Sequence, residues 1–254
     1  MNKPLSGKRI MVTREAKQAL PLVYLLESYG AHCERVPLLY FEKCLLEDVQ
    51  KSLQEISQYD WLFFTSANTV HFFDQFVKKL GLKIDQKIAA VGEKTAQLLE
   101  EYGYRVDFVP SIFAGSTMVR EFREIVSSCH IALLCGSNAR REIPEQLQQQ
   151  GLSFEKIVIY RTMKNKEVIP LLQEKATEMN AVFFTSPSTV NTFHQFLAAS
   201  LLEQVKKNVT AVAIGSTTSE ALEKHGFQQI IYPETFTIEN MVATYLDYIR
   251  EGDK

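Results

Sequence analysis

The chain has 254 residues, 46% of them apolar, and a formal net charge of −2 at pH 7. That length and apolar share suit one large or two ordinary domains. The charge balance excludes an overall basic field for nucleic acid, and no apolar run approaches the ~20 residues of a membrane-spanning helix.

In chain order, Lys8–Thr13 reads as a strand and Ala16–Tyr29 as a helix closed by Gly30, a residue suited to a left-handed cap. Pro21 is expected in that helix's first turn or at a kink. Cys33–Phe41 is a long extended run, continuing toward Lys43, and Trp61–Thr65, Ile88–Val91 and Arg105–Val109 complete five strands. Helices fall at about Glu47–Ser57, Asn68–Leu80, Glu93–Tyr102 and Ser116–Ser127. The second half offers strands at Ile131–Cys135, Phe154–Arg161, Ala181–Thr185, Ala211–Ile214 and Gln228–Tyr232. Its helices are expected at about Glu142–Gln150, Ile169–Met179, Ser188–Ala199, Thr217–Lys224 and Ile238–Arg250. Such alternation means a parallel sheet covered on both faces.

The chain also says nearly the same thing twice. FFTSANTV at Phe63–Val70 returns as FFTSPSTV at Phe183–Val190, and AAVGEKTAQLLEEYGYRVDFVP at Ala89–Pro110 as VAIGSTTSEALEKHGFQQIIYP at Val212–Pro233. GSTMV is echoed by IENMV, and KRIMVTREA by HIALLCGSNARRE, all at a spacing of roughly 120 residues. That is close to one domain length and far beyond a solenoid period. The fold class predicted is α/β: two flavodoxin-like domains, each with a parallel five-stranded sheet, related by internal duplication. Five strands per unit suit the order 2-1-3-4-5. No Pro/Gly/Ser-rich linker separates the halves, so the crossing segments are expected to be structured, as a two-strand connector. A cleft between the facing lobes is the expected place for function.

Ligands of parallel sheets bind at the loops after the strands. Six such loops place small hydroxyl or amide residues before a helix: Thr13–Glu15, Thr65–Asn68, Gly92–Thr95, Gly136–Asn138, Thr185–Ser188 and Gly215–Thr218. They serve as helix N-caps, as anion sites at the positive helix end, or as both. Arg14 is either a surface arginine or a fork for carboxylate. Arg140 and Arg141 stand at a helix start, where a cation opposes the dipole; Lys94 is a weaker instance. Tyr160 ends the run IVIY, either as packing or as a phenol facing the cleft as proton donor.

Nothing resembles a P-loop, a GxGxxG turn, HExxH or GxSxG, so no nucleotide cofactor or metal is expected. Cys33, Cys44, Cys129 and Cys135 lack CxxC spacing, which argues against zinc or an iron–sulfur cluster and for reduced thiols. MNKPLSGKRIMVTRE has no apolar h-region and no cleavage site, so a cytoplasmic protein is expected. His71 and His194, read as repeat mates on helices after the Thr-Ser loops, are expected to lie on helix faces rather than bind a ligand. With few titratable groups at strand ends, a reaction needing strong base catalysis is disfavoured. One driven by folding a flexible substrate into shape is open.

Taken together, the FTS loop after Phe64, VGEKTA, CGSNARREIPEQL, IVIYRT, FFTSPSTV and AIGSTTSEAL resemble the uroporphyrinogen-III synthase family over the whole chain. The resemblance implies a discontinuous domain one (residues 1–36 plus 166–254), an inserted domain two (40–160) and connector strands at 37–39 and 161–165. It implies a hydro-lyase reaction on hydroxymethylbilane, a linear tetrapyrrole octacarboxylate, which is dehydrated and cyclised to uroporphyrinogen III with ring D inverted. It implies no cofactor, and a monomer that binds neither nucleic acid nor membrane. Carried over by position, Tyr160 corresponds to the cleft tyrosine that assists departure of the hydroxyl. Thr65, Ser66, Thr95, Arg141, Ser186, Thr217 and Thr218 correspond to substrate-binding positions, and Arg14 is a looser match. The competing readings are a two-lobed cytoplasmic binding protein or sensor for a small polyanion, and an enzyme of nucleotide-sugar or phosphate chemistry on paired lobes. The second lacks the phosphate loop it needs.

Overall fold

The computed structural model describes residues 3–44, 47–112 and 115–252. Its elements run β1 (Arg9–Val12), α1 (Ala16–Ser28), β2 (His32–Arg35), β3 (Leu39–Lys43), α2 (Glu47–Gln54), β4 (Trp61–Phe64), α3 (Ala67–Leu80), β5 (Lys87–Ala90), α4 (Glu93–Glu101), α5 (Gly115–Ile125), β6 (His130–Gly136), α6 (Glu142–Gln149) and β7 (Ser153–Lys164). They continue with α7 (Ile169–Lys175), β8 (Ala181–Phe184), α8 (Pro187–Phe196), α9 (Ala199–Asn208), β9 (Thr210–Ala213), α10 (Ser216–Lys224), β10 (Ile230–Ile231) and α11 (Ile238–Gly252). The chain divides into two compact units, Met1–Tyr40 with Met163–Lys254, and Phe41–Thr162. Of the first expected domain, residues 1–2 and 253–254 lie outside the described part.

The first unit holds a parallel sheet in the order β10-β9-β8-β1-β2. The second holds β3-β7-β6-β4-β5, whose β7, β6, β4 and β5 run parallel. A parallel bridge from Ala89 to Phe108 adds one further contact beyond β5. The first unit thus has the 2-1-3-4-5 order of a flavodoxin-like sheet, and the second reproduces it when β6 and β7 are numbered as the repeat mates of β1 and β2. In the second, β3 is an extra edge strand. Its flanking hydrogen bonds, Cys44 N–H to Ile159 O and Asn165 N–H to Leu38 O, pair rising with falling residue numbers, so it runs antiparallel to β7.

Strand side chains alternate between faces, and the burial follows. In β4, Leu62 and Phe64 join one core cluster while Trp61 and Phe63 join the other. In β8, Val182 and Phe184 face one cluster, Ala181 and Phe183 the other. Burial on both faces explains why these strands read as unbroken apolar runs rather than alternating ones.

Five expectations are corrected. The extended run from Cys33 is two strands, β2 and β3, in different sheets. Pro37 between them has no N–H for a ladder, and its carbonyl instead accepts from Asn165 Nδ2 at 3.0 Å. The run Arg105–Val109 contributes only a bridge, because the Asp107 carboxylate takes the Ile88 N–H at 3.0 Å in place of a backbone carbonyl. The strand expected over Gln228–Tyr232 shrinks to Ile230–Ile231. Helix α9 was not anticipated; Leu202 and Val205 are its buried side. Of the two places expected for Pro21, the first turn is excluded: it lies further along α1 on the exposed side, as does Lys17, whose carbonyl loses its helical N–H partner.

Candidate active site

At the carboxyl edge of the second unit's sheet, β4 ends and Thr65-Ser66 leads into α3. Ser66 is extended (φ −166°, ψ 160°), and its Oγ accepts the Thr69 N–H at 3.3 Å, a helix N-cap. The same Oγ lies 2.9 Å from Thr69 Oγ1 and 3.4 Å from the Tyr160 hydroxyl. Thr65 Oγ1 donates to the Leu134 carbonyl at 3.3 Å, tying the loop to β6.

Tyr160 reaches this loop because β7 carries a bulge. Cys135 pairs with Val158 but Gly136 pairs with Tyr160, leaving Ile159 as the extra residue. The alternation therefore breaks, and Ile157, Ile159 and Tyr160 all join the core cluster beside α3. Phe72 of α3 stacks on the Tyr160 ring (centroids 5.0 Å, 15°), and Phe41 of β3 meets it edge-on (5.7 Å, 88°).

A cavity of about 400 Å³ opens here, lined among others by Thr65, Ser66, Gly136, Arg140, Glu142 and Tyr160. Arg140 is exposed at its rim, whereas the neighbouring Arg141, also exposed, is not part of the lining. Glu142 begins α6, and its Oε1 accepts the Ser116 N–H of α5 at 2.9 Å. Thr95, in the first turn of α4, is buried and stands outside the lining, while Val91 at the end of β5 is within it. Sequence reasoning had singled out Arg140 only as an alternative to Arg141, and had missed Thr69, Phe72 and Glu142. The capping spacing from Ser66 to Thr69 was the available signal for the first.

The first unit repeats the cap. Ser186 (φ −165°, ψ 154°) accepts the Thr189 N–H at 3.3 Å and lies 2.9 Å from Ser188 Oγ. Thr217 is exposed in the first turn of α10; its neighbour Thr218 is buried, and among the described residues its Oγ1 has no hydrogen-bond partner. Arg14 follows β1 half-buried, its Nε donating to Gln18 Oε1 at 3.4 Å. Burial pushes its guanidinium below the usual arginine range, and Glu15 opposes that shift. Glu15 itself caps α1, accepting the N–H groups of Lys17 and Gln18 at 3.1 Å each.

Burial pushes the Cys33 thiol up to about 12 and the Cys129 thiol up to about 11, and raises that of Cys135. These sulfurs stay protonated at neutral pH and are poor nucleophiles. Among the described residues no group of three or more His, Cys, Asp or Glu gathers at metal-ligand spacing, and no helix is long and apolar enough to cross a membrane. His71 and His194 are not repeat mates. By the FTS register His71 matches Asn191, and by the register of VGEKTA on IGSTTS Tyr102 matches His225. Each pair is bonded between helices, His71 Nδ1 to the Tyr102 hydroxyl at 2.6 Å and Asn191 Oδ1 to His225 Nε2 at 2.7 Å.

Two flavodoxin-like units, with capped helix starts on their sheet edges and a phenol lining one cavity, define a two-unit α/β protein. The chain belongs to the uroporphyrinogen-III synthase HemD family, whose model matches residues 21–243. It is 30% identical to the porphyrin biosynthesis protein HemD of Ruminiclostridium josui over 97% of its own length, and spans 50% of that longer protein. It is 29% identical to the uroporphyrinogen-III synthase of Synechococcus elongatus, covering 84% of this chain and 83% of that one. An uncharacterized Bacillus subtilis protein, YjjA, aligns over the full length of both chains at 25% identity. The fold is shared with the crystal structure of uroporphyrinogen-III synthetase from Helicobacter pylori (TM-score 0.69, 19% identity, 95% of this chain and 99% of that one). A mutant uroporphyrinogen III synthase from Thermus thermophilus scores the same, 0.69 at 19% identity, over 96% of this chain and 100% of that one.

Proposed function

We propose that this chain is a uroporphyrinogen-III synthase, a cytoplasmic, monomeric hydro-lyase that closes hydroxymethylbilane to uroporphyrinogen III without metal or organic cofactor. Family membership supports the reaction class, and the placement of Tyr160 carries the assignment to this molecule. Its hydroxyl is held beside Ser66 in a cavity wall, where a donor to a departing oxygen is needed. The pyrrole nitrogen pushes electron density toward the hydroxymethyl carbon and the C–O bond breaks. The oxygen leaves as water with a proton supplied through the phenol, a general-acid role. The resulting cation is attacked by the substituted carbon of ring D, and fragmentation and reclosure invert that ring.

The bilane brings many carboxylates, and helix starts receive them through free N–H groups and the positive dipole end. Arg14, Thr65, Ser66, Thr95, Arg141, Ser186, Thr217 and Thr218 are the proposed carboxylate partners, and Arg140 at the cavity rim joins them. The absence of a strong base from this set fits a reaction steered by substrate shape.

The experiment is to supply freshly made hydroxymethylbilane and identify the cyclic isomer released. Uroporphyrinogen III is expected. Isomer I alone, the spontaneous product, overturns the assignment; retention of the bilane without isomer III favours a cytoplasmic binding protein for a polyanion.

A further inference from the structure

We infer that Gly136 and Phe72 are positioning residues that clamp the Tyr160 phenol in place; the inference rests on the function proposed for Tyr160 and adds to it the part of the fold that aims the group. A glycine is favoured where the backbone takes a positive φ, as at Gly81 (64°), Gly103 (86°) and Gly226 (81°), where an added Cβ would meet nothing within 4 Å. Gly136 is the reverse case. It is not among the positive-φ glycines, yet a Cβ there would lie 2.3 Å from Tyr160 Cζ and 2.6 Å from both Cε2 and the hydroxyl oxygen. No real Cβ contact is that short, so the hydroxyl end of the ring occupies the space a side chain would fill. What demands glycine at this position is the tyrosine, not the chain conformation.

The backbone on either side is pinned, so the clash cannot be relieved cheaply. Ser137 N–H donates to the Tyr160 carbonyl at 2.9 Å, and Ser137 Oγ accepts the Thr162 N–H at 3.2 Å. Gly136 is buried in β6 opposite the bulge that turns Tyr160 toward α3. Phe72 covers the face of the ring and Phe41 its edge. These contacts hold the ring on the sides away from the cavity, with its oxygen 3.4 Å from Ser66 Oγ. A donor held to one place is the structural requirement for acting on a leaving group without reorganisation.

The test compares wild type, Gly136→Ala and Phe72→Leu, each also in a Tyr160→Leu background. In the wild-type background Gly136→Ala is expected to lower kcat at least tenfold with KM within about twofold, and Phe72→Leu to lower it several-fold. In the Tyr160→Leu background either change should alter kcat less than twofold, since a residue acting only through Tyr160 has nothing left to position. Full additivity, or a Gly136→Ala enzyme within twofold of wild type, overturns the positioning role. A readout free of activity comes from protein labelled with 3-fluorotyrosine, the Tyr160 fluorine signal being the one lost in Tyr160→Phe. That signal is expected to shift or broaden in Gly136→Ala and in Phe72→Leu; an unmoved signal in both overturns the clamp. Should wild type release only isomer I, the reaction assignment fails, and the fluorine signal alone then upholds or overturns the clamp. Should Gly136→Ala fail to fold, Phe72→Leu carries the same readouts.

Discussion

The two units share their caps and differ in what the caps face. Ser66 and Ser186 have backbone angles within a few degrees of one another and bond the third residue onward at the same 3.3 Å. Among the described residues, a phenol lies beside the cap serine in the second unit alone. Its strand β7 continues past the bulge to Lys164, whereas the corresponding β2 stops at Arg35, two residues before Pro37. Duplication thus gives the same capped turn twice, and the length of one strand decides which copy has a phenol beside it.

The largest effect tests whether the copies are equivalent beneath that difference. Phe73 and Phe193 are repeat mates, both fully buried, meeting Phe64 and Phe184 edge-on at 5.0 and 5.2 Å. Phe73→Ala and Phe193→Ala are each expected to cost about 3–5 kcal/mol in their own unit. Unit-resolved hydrogen exchange in urea measures both; costs differing by more than about 2 kcal/mol break the equivalence. Next comes Tyr160→Phe, which keeps the ring and its packing and removes the donor. Turnover should fall about 10²-fold, a scale usual for a lost general acid, with the circular-dichroism melt unchanged. An unaltered rate of isomer III formation removes Tyr160 from the mechanism.

These asymmetries show how far the sequence was legible. The repeat, the order of strands and the Thr-Ser caps could be read directly, because WLFF and AVFF are buried on both faces and Ser before an apolar helix has one local meaning. The break at Pro37 could have been read as well, since proline cannot donate to a ladder. The site was less legible. Tyr160 stood out by its place at the end of IVIY, but the bulge that aims it depends on the pairing of β6 with β7. A single glycine cannot announce that it yields space to a residue twenty-four positions away. Arg140 and Arg141 are chemically alike, and only the turn into α6 puts the first on the cavity. The histidine pairing was misread because His71 and His194 lie in similar helices, though three positions out of register.

A smaller effect sharpens the comparison at the caps. Ser66→Ala and Ser186→Ala should each destabilise their unit by about 1 kcal/mol, the usual value of an N-cap. Ser66→Ala should also cost more turnover relative to its loss of stability, because its Oγ touches Tyr160 as well as the helix. Equal ratios of activity loss to stability loss at the two serines would detach Ser66 from the chemistry. Addition of uroporphyrinogen III should slow amide exchange at Thr65–Asn68 and at Thr185–Ser188; unprotected amides at both count against carboxylate binding there.

The smallest effect concerns the swapped pairs, His71 with Tyr102 and Asn191 with His225. The first unit's version places His225 against His194, the rings stacked at 4.2 Å, and near Lys206. Burial, then the neighbouring His194 and Lys206, lower the His225 pKa in the folded chain. The unfolded chain keeps a value of about 6.5, so it takes up a proton first as pH falls. Stability of the first unit should therefore decline as pH drops through about 6.5, level off below the folded pKa, and owe nothing to this group above that window. His225→Tyr, which copies Tyr102, should flatten that part of the profile, and Asn191→His with His225→Tyr should rebuild the second unit's bond without the stacked histidines. Exchange protection of α8 and α10 at pH 5.5 and 7.5 measures it. A profile in His225→Tyr equal to wild type places the pH dependence elsewhere. A flattened one places this pH dependence on His225, in the contact that the first unit builds from Asn191 and a histidine.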